Sequence, residues 1–404
     1  MAAFHGWRVV GAAFVLAVFG WGVGFYGPPV YLQAVREARG WPVPLVSAAV
    51  TLHFLCGAVV IARLPALYRR FGVVAVTRAG ALLLGLGVLG WSLAAEPWQL
   101  FASTVLSGAG WVAMGAAAVN AIIAPWFVRR RPAALAMAYN GASIGGVVFS
   151  PLWVAAIGML GFPLAAGLVG AVMAVSVWLL AGLWFGRTPE QLGQVPDGGE
   201  PGGAAAMSVA PALPGAALWR DRRFATLAAG MALGLFAQIG LLAHLFSLLV
   251  PVLGGQMAGI AMGAATAAAI GGRTLVGWLM PAGTDRRLVA CVSYGVQIAG
   301  SAALLLAGGT GVGLLLAGVL LFGAGIGNAT SLPPLIAQAE FAREDVARAV
   351  PMIVALSQAA YAFAPAVFGL VREFGGAPTL FVVAGVVQAA AVGALLAGRA
   401  SRGR

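Results

Sequence analysis

Three side chains carry most of the chemistry this sequence can offer. Arg273 lies in A-A-A-I-G-G-R-T-L-V-G-W-L at 267–279, a stretch otherwise made of apolar and small residues. A guanidinium stays charged at any physiological pH, and its planar fork can hold a carboxylate through two parallel hydrogen bonds. His53 and His244 sit in equally apolar surroundings, and imidazole is the side chain most able to change charge near neutral pH. Uncharged hydrogen-bonding groups, Tyr26, Asn120, Tyr139, Asn140, Asn328, Gln358 and Tyr361, are spread through similar text. Gln358, Tyr361 and Pro365 recur at spacings of three and four, which places them on one helix face. Each such group can orient a polar ligand or join two helices, as polar side chains do inside membranes.

The elements that must position these residues follow from composition. Only 8% of the 404 residues are charged, against 61% hydrophobic and 59 glycines, whereas a water-soluble surface of this size needs about a quarter charged. The chain is therefore expected to live in a lipid bilayer. Apolar stretches of about 20 residues, each long enough to cross a hydrocarbon core of about 30 Å, recur twelve times, near 8–35, 43–68, 74–94, 98–127, 132–158, 162–186, 224–250, 256–281, 287–307, 312–337, 347–371 and 376–398. The expected class is an all-α membrane protein of two six-helix bundles. Met1 to Arg8 leads into the first stretch with no small-residue cleavage site, so that stretch is read as retained. The third, sixth and twelfth, made of little beyond Leu, Ala, Val and Gly, read as lipid-facing scaffold.

Charge sets the expected orientation. The sequence contains no lysine, and its arginines cluster in alternate connections: Arg69 and Arg70, Arg129 to Arg131, Arg187, Arg220, Arg222 and Arg223, Arg286 and Arg287, Arg343, and the tail Arg399, Arg402 and Arg404. Short positive loops remain cytoplasmic, which puts both termini on that side. The net charge of +12 is dispersed over loops with no basic domain, so no nucleic-acid partner is expected. Cys56 and Cys291 fall inside helical stretches and behave as small apolar groups. No disulfide, metal or cofactor is expected, and no catalytic dyad or phosphate-binding loop points to an enzyme.

One long interruption, rich in Pro and Gly over 187–220, is unsuited to a packed element and divides the chain into bundles at 1–186 and 222–404 joined by a cytoplasmic linker at 187–221. P-A-L-Y-R-R-F-G at 65–72 is echoed by G-W-L-M-P-A-G at 277–283. Parallel repeats of six helices around a midplane cavity are a transporter plan.

Depth sharpens the reading of Arg273. It stands about eight residues, hence about 12 Å, from the nearer end of its helix, where a charge costs about 2.5 to 3.5 kcal/mol on insertion scales. All eleven acidic residues read as loop or segment-end positions, so water, an anion or a partner is expected to compensate it; substrate contact and a structural arginine bonded to backbone carbonyls near the cytoplasmic end are the two readings. His53 is about ten residues, or about 15 Å, into the second stretch, and His244 lies in the outer half of the seventh. Pro28 and Pro29, and Pro333 and Pro334, remove backbone donors near helix ends that can then bend. Gly141, Gly145 and Gly146 allow close helix approach.

G-W-R-V-V at 6–10, P-W-F-V-R-R-R-P-A-A-L-A-M-A-Y-N-G-A-S-I-G-G at 125–146 and G-G-R-T-L-V-G-W-L at 271–279 resemble the major facilitator superfamily and, within it, the monocarboxylate-transporter and oxalate/formate-antiporter branch. The likeness spans nearly the whole chain. It implies a secondary active transporter that moves a small organic anion by alternating access, working as a monomer. Arg273 stands where that branch binds the substrate carboxylate; Tyr26, Asn120, Tyr139, Asn140, Asn328, Gln358 and Tyr361 would line the site, with His53 and His244 as proton-coupling candidates. Several positions depart from the pattern. Arg69 replaces the acid and Pro65 the glycine of the loop motif after helix 2, and Pro281 replaces the acid of its repeat, which shifts the expected gating contacts to Asp285 and nearby arginines. Ala269 stands where many monocarboxylate carriers have an acid, and Gln358 and Tyr361 occupy the middle of helix 11, where the antiporters place a lysine. One fixed positive charge suits a monoanion. An exporter of a drug or amphipathic metabolite, and a non-transporting solute sensor, are the alternative readings. Arginine in place of lysine and the Ala/Gly-rich text suggest a GC-rich bacterial source and its inner membrane.

Overall fold

The computed structural model describes residues 4–198, 215–281, 284–308, 310–341 and 343–399. Among these residues every regular element is helical, as expected where hydrocarbon leaves backbone N–H and C=O groups no partners outside their own helix. Among the described residues nine apolar helical stretches are long enough to cross a membrane, and three of them, Val43–Leu93, Arg222–Leu279 and Arg348–Ala397, run for 50 residues or more. At 1.5 Å per residue each of these is over about 70 Å long, twice what one crossing needs. Each turns back at a glycine, Gly72, Gly254 or Gly376, with φ between 72° and 78°. The nine stretches therefore make twelve crossings, six in each of two compact units, Met1–Met207 and Ser208–Arg404.

The first unit begins with α1 (Gly6–Gly24) and α2 (Pro28–Arg39), one crossing broken at residues 25–27. Its cause is local: Pro28 has no N–H to give the Gly24 carbonyl four residues earlier. α3 (Val43–Leu93) supplies the second and third crossings. α4 (Pro97–Val112) opens with a Glu96/Gln99 capping box, and α5 (Ala116–Ile123) completes the fourth crossing after a break at 113–115, where the sequence suggests one uninterrupted helix. α6 (Arg131–Leu160) and α7 (Phe162–Leu180) meet at Gly161, and α7 continues into a π-helical segment, Ala181–Phe185. α3 packs on α4 and α7, and α1 on α6. Buried Trp91, Trp153 and Tyr31 knit the core, with Trp153 Nε1 donating to the Gly22 carbonyl at 3.1 Å.

In the second unit α8 (Gly215–Arg220) precedes α9 (Arg222–Leu279), which carries crossings seven and eight. α10 (Arg286–Leu306) and α11 (Val312–Glu340) are single crossings, while α12 (Arg343–Ala362) and α13 (Ala364–Ala397) provide the last two. α11 stays helical through Pro333 and Pro334 to Glu340. α9 packs against α11, α12 and α13.

The stretch after α7 also differs from expectation. Residues 187–198 are not structureless: they form short 3₁₀ turns at Glu190–Leu192 and Pro196–Gly198 and fold back onto the first unit. Asp197, at φ 65°, accepts the backbone N–H groups of Val128, Arg129 and Arg130, the shortest at 2.7 Å, and its own N–H donates to the Trp126 carbonyl at 2.9 Å. Burial pushes the Asp197 carboxyl up, but the three N–H donors outweigh it and hold it below the usual carboxylate range. Of the rest of the expected linker, 199–214 lies outside the described residues and Gly215–Arg220 is helical; Ala282 and Gly283 of the repeated loop motif and the tail arginines Arg402 and Arg404 also lie outside the described residues.

Candidate functional site

In the first unit His53 is 1% exposed and both ring nitrogens are engaged. Nε2 lies 2.9 Å from the Gly24 carbonyl orphaned by Pro28, and Nδ1 lies 2.8 Å from Ser107 Oγ. A carbonyl can only accept, so Nε2 carries the hydrogen. In the neutral ring Nδ1 then accepts from the Ser107 hydroxyl, whose oxygen also receives Trp91 Nε1–H at 3.2 Å. Trp111 stacks on the imidazole, with centroids 5.7 Å apart. Ser107, Trp91 and Gly24 escaped sequence reading, although a proline four residues after Gly24 is a legible sign of a carbonyl in need of a donor.

Asn120 on α5 and Tyr139 on α6 do come together. The Asn120 amide donates to the Tyr139 hydroxyl and to the Ala116 carbonyl at 2.9 Å, and Tyr139 packs edge-on against Trp21 of α1 at 6.1 Å. Asn140 is on the exposed side of α6, and Tyr26 sits in the break after α1 against Phe25.

In the second unit Arg273 is half-buried on α9, and its Nε donates to the Gly327 carbonyl of α11 at 3.1 Å. That carbonyl also accepts from Ser331 Oγ at 3.1 Å. Gly327 is obligatory here: a Cβ would come within 2.1 Å of the Ala269 carbonyl oxygen and 3.1 Å of Arg273 Cβ. Asn328, one residue on, is turned into the unit's interior, where it lines a small void with Ser293 and Tyr294. The Gly327 carbonyl of α11 thus meets Arg273 of α9, while the Asn328 side chain turns away into the interior. Tyr361 packs against the core that contains Leu332 and Ile336, and Gln358 is half-buried one turn earlier on α12. His244 is fully buried, with Nε2 3.1 Å from the Pro365 carbonyl, and Ser247 next to it receives a hydrogen bond from Arg372.

Burial of Arg287 corrects its placement among the loop arginines. Its side chain is 1% exposed and pairs with Glu340 through Nε at 2.6 Å and Nη2 at 2.8 Å. The remaining donors reach Thr226 Oγ1 and the Leu395 and Arg223 carbonyls. Asp285 caps α10 and pairs with Arg399 at 2.8 Å. Burial raises its carboxyl, and the Arg399 guanidinium with the Leu288 and Arg287 N–H groups brings the net value below the usual range. Among the described residues no group of three His, Cys, Asp or Glu side chains is placed to hold a metal ion.

The sequence matches the Major Facilitator Superfamily model over residues 12–365. "MFS-type transporter 1" of Ophiocordyceps sp. (strain BCC 1869) is 26% identical over 185 residues, 45% of this chain and 40% of that protein, so the match spans less than half of the curated relative. Among solved structures, a point mutant of the nucleoside transporter NupG superposes with a TM-score of 0.76 at 13% identity, covering 98% of this chain and 99% of that one. A bacterial homolog to the human lysosomal transporter Spinster, in an inward-facing and occupied conformation, gives 0.74 at 15% identity over the whole of both chains. At such identities the likeness is one of fold. With a family match across most of its length and twelve crossings in two units, the chain belongs to the Major Facilitator Superfamily and is a multi-pass membrane transporter.

Proposed function

We propose that this transporter carries a small organic anion of the monocarboxylate type by secondary active, alternating-access transport. In this reading it works as a monomer in a bacterial inner membrane with both termini cytoplasmic, and belongs near the monocarboxylate and oxalate/formate carriers. The observation that carries the proposal is Arg273, a half-buried guanidinium inside a membrane-crossing helix, held by its Nε on the Gly327 carbonyl. A backbone anchor of this kind sets the plane of the fork, and a planar fork matches a carboxylate edge to edge. A bound anion also offsets the cost of a charge at that depth, which favours closure around an occupied site.

His53 is the proposed proton-coupling group, with His244 second. Support for His53 lies in the second arrangement open to its network. If Nδ1 gains a proton it donates to Ser107 Oγ, and the Ser107 hydroxyl turns to the Thr104 carbonyl, already 3.3 Å away.

The test is ligand-induced thermal stabilisation of the purified protein, wild type against Arg273→Gln, with small mono- and dicarboxylates, nucleosides and amphipathic cations in parallel. A monocarboxylate that raises the melting temperature of the wild type alone is the expected result. Uptake of that compound into proteoliposomes at two external pH values then reads proton coupling. Equal stabilisation of the variant, or a response to nucleosides or cations only, would remove Arg273 from the site.

A further inference from the structure

A second membrane-embedded arginine has no place in the transport scheme. Arg78 lies on the third crossing, six residues past the turn at Gly72. Its Nε donates to the Trp178 carbonyl at 3.2 Å, and its guanidinium lies 4.5 Å from the centroid of the Trp178 ring. Among the described residues it has no carboxylate partner. Gly182 makes room for it, since a Cβ there would fall 2.4 Å from Nη2. Beside this contact α7 gives way to the π-helical segment at Ala181, whose N–H is shared by the Val177 and Trp178 carbonyls. A side chain inserted against the helix ladder is a known cause of such a bulge, and π segments often mark functional sites.

The third and sixth crossings run antiparallel here, with Val74 beside Gly186, Arg78 beside Gly182 and Gly85 against Gly170. Arg78 is thus four residues, about 6 Å, inside the level of Gly186, where the helix ends and Arg187 begins the next connection. An arginine spans that distance to the headgroup layer. Deeper along the same two crossings Leu82, Leu86, Val172, Val175 and Leu179 are all exposed. Cation, interfacial tryptophan and apolar strip lie in the order in which a phospholipid presents phosphate, glycerol and acyl chain.

We infer that Arg78 and Trp178, seated by Gly182, bind the phosphate headgroup of an anionic phospholipid whose acyl chain follows the strip. The ionised phosphate supplies the carboxylate-like acceptor that Arg78 does not meet among the described residues. A lipid rather than a soluble phosphate is favoured because the site opens onto apolar surface.

Native mass spectrometry of the detergent-purified protein with added phosphatidylglycerol or phosphatidylcholine tests this. The wild type should retain phosphatidylglycerol in preference to phosphatidylcholine. Arg78→Gln should bind phosphatidylglycerol roughly tenfold more weakly, the scale of losing one charged hydrogen-bond donor, and Gly182→Ala, which keeps the charge but displaces it, should also weaken binding. Arg129→Gln, at an exposed arginine elsewhere on the unit, should match the wild type, and all variants should elute as monodisperse protein. Glycerol 3-phosphate and inorganic phosphate at millimolar concentration should not displace the lipid. Equal retention by Arg78→Gln, equal retention of phosphatidylcholine by the wild type, or displacement by either soluble phosphate would overturn the assignment.

Discussion

At the scale of single residues, buried polar groups in this protein answer vacancies created elsewhere in the chain. Pro28 deprives Gly24 of its helical partner, and His53 supplies a donor from another helix. Ser107 and Trp91 complete the ring's partners. His53→Ala leaves the buried Gly24 carbonyl short of a partner, while Ser107 keeps Trp91 and the Thr104 carbonyl, and one such unmet group costs about 1 to 3 kcal/mol. The expected loss is of that size, read as a lower melting temperature in detergent, with Ser107→Ala losing less. A melting temperature unchanged in His53→Ala would mean that water enters the site and replaces the ring.

At the scale of elements, the corners between crossings are set by single glycines. Gly254 adopts φ 73° and ψ 163°, and a Cβ added there meets nothing within 4 Å. Alanine at this position would suffer only the backbone cost of a φ/ψ region essentially reserved for glycine, about 1 to 3 kcal/mol. Gly254→Ala should therefore lower thermal stability modestly without blocking folding. A larger loss, or failure to insert, would show that the turn between crossings seven and eight has a role in assembly beyond its geometry. The break between α4 and α5 has no proline to account for it; Gly115 provides an extended residue at φ −87° and ψ −163° where α5 starts.

At the scale of the whole molecule, the start of the chain and the stretch after the sixth crossing meet at one corner of the first unit. His5 stands between Trp126 and Trp184, its N–H donates to Gln194 Oε1 at 3.0 Å, and Asp197 closes the connection ahead of α6. Burial lowers the His5 pKa; a hydrogen bond with the Trp184 backbone opposes this, and the charges of Arg187 and Arg8 add to the lowering. A folded-state value below the ordinary 6.5 means that the ring's contribution is complete above pH 6.5 and is lost as pH falls from there through the lowered value. Amide protection factors over residues 4–8 and 187–198, taken relative to the intrinsic exchange rate at each pH, should fall on acidification below about pH 6.5, and His5→Asn should abolish that fall. An identical pH profile in the variant would assign the effect to other groups. Asp197 and Asp285, both held below the usual carboxylate range, retain their contribution until the pH falls below that range.

The sequence by itself determined the solvent, the element type and the number of crossings. Hydrocarbon thickness sets the length of an apolar run, and the lack of external hydrogen-bond partners makes each run a helix, so both are written in local composition. The family was legible for a similar reason, since its motifs are continuous stretches such as 125–146 and 271–279. What only the tertiary structure decided is which helix each polar group meets. Arg273 and Asn328 are equally embedded in sequence, yet one rests on the Gly327 carbonyl and the other turns into the interior. Arg287 reads as one more loop arginine and proves to be a buried, fully bonded partner of Glu340. A helix fixes the spacing of its own side chains, but the neighbour that satisfies them is set by packing between segments 50 to 100 residues apart, and that information is absent from any local pattern.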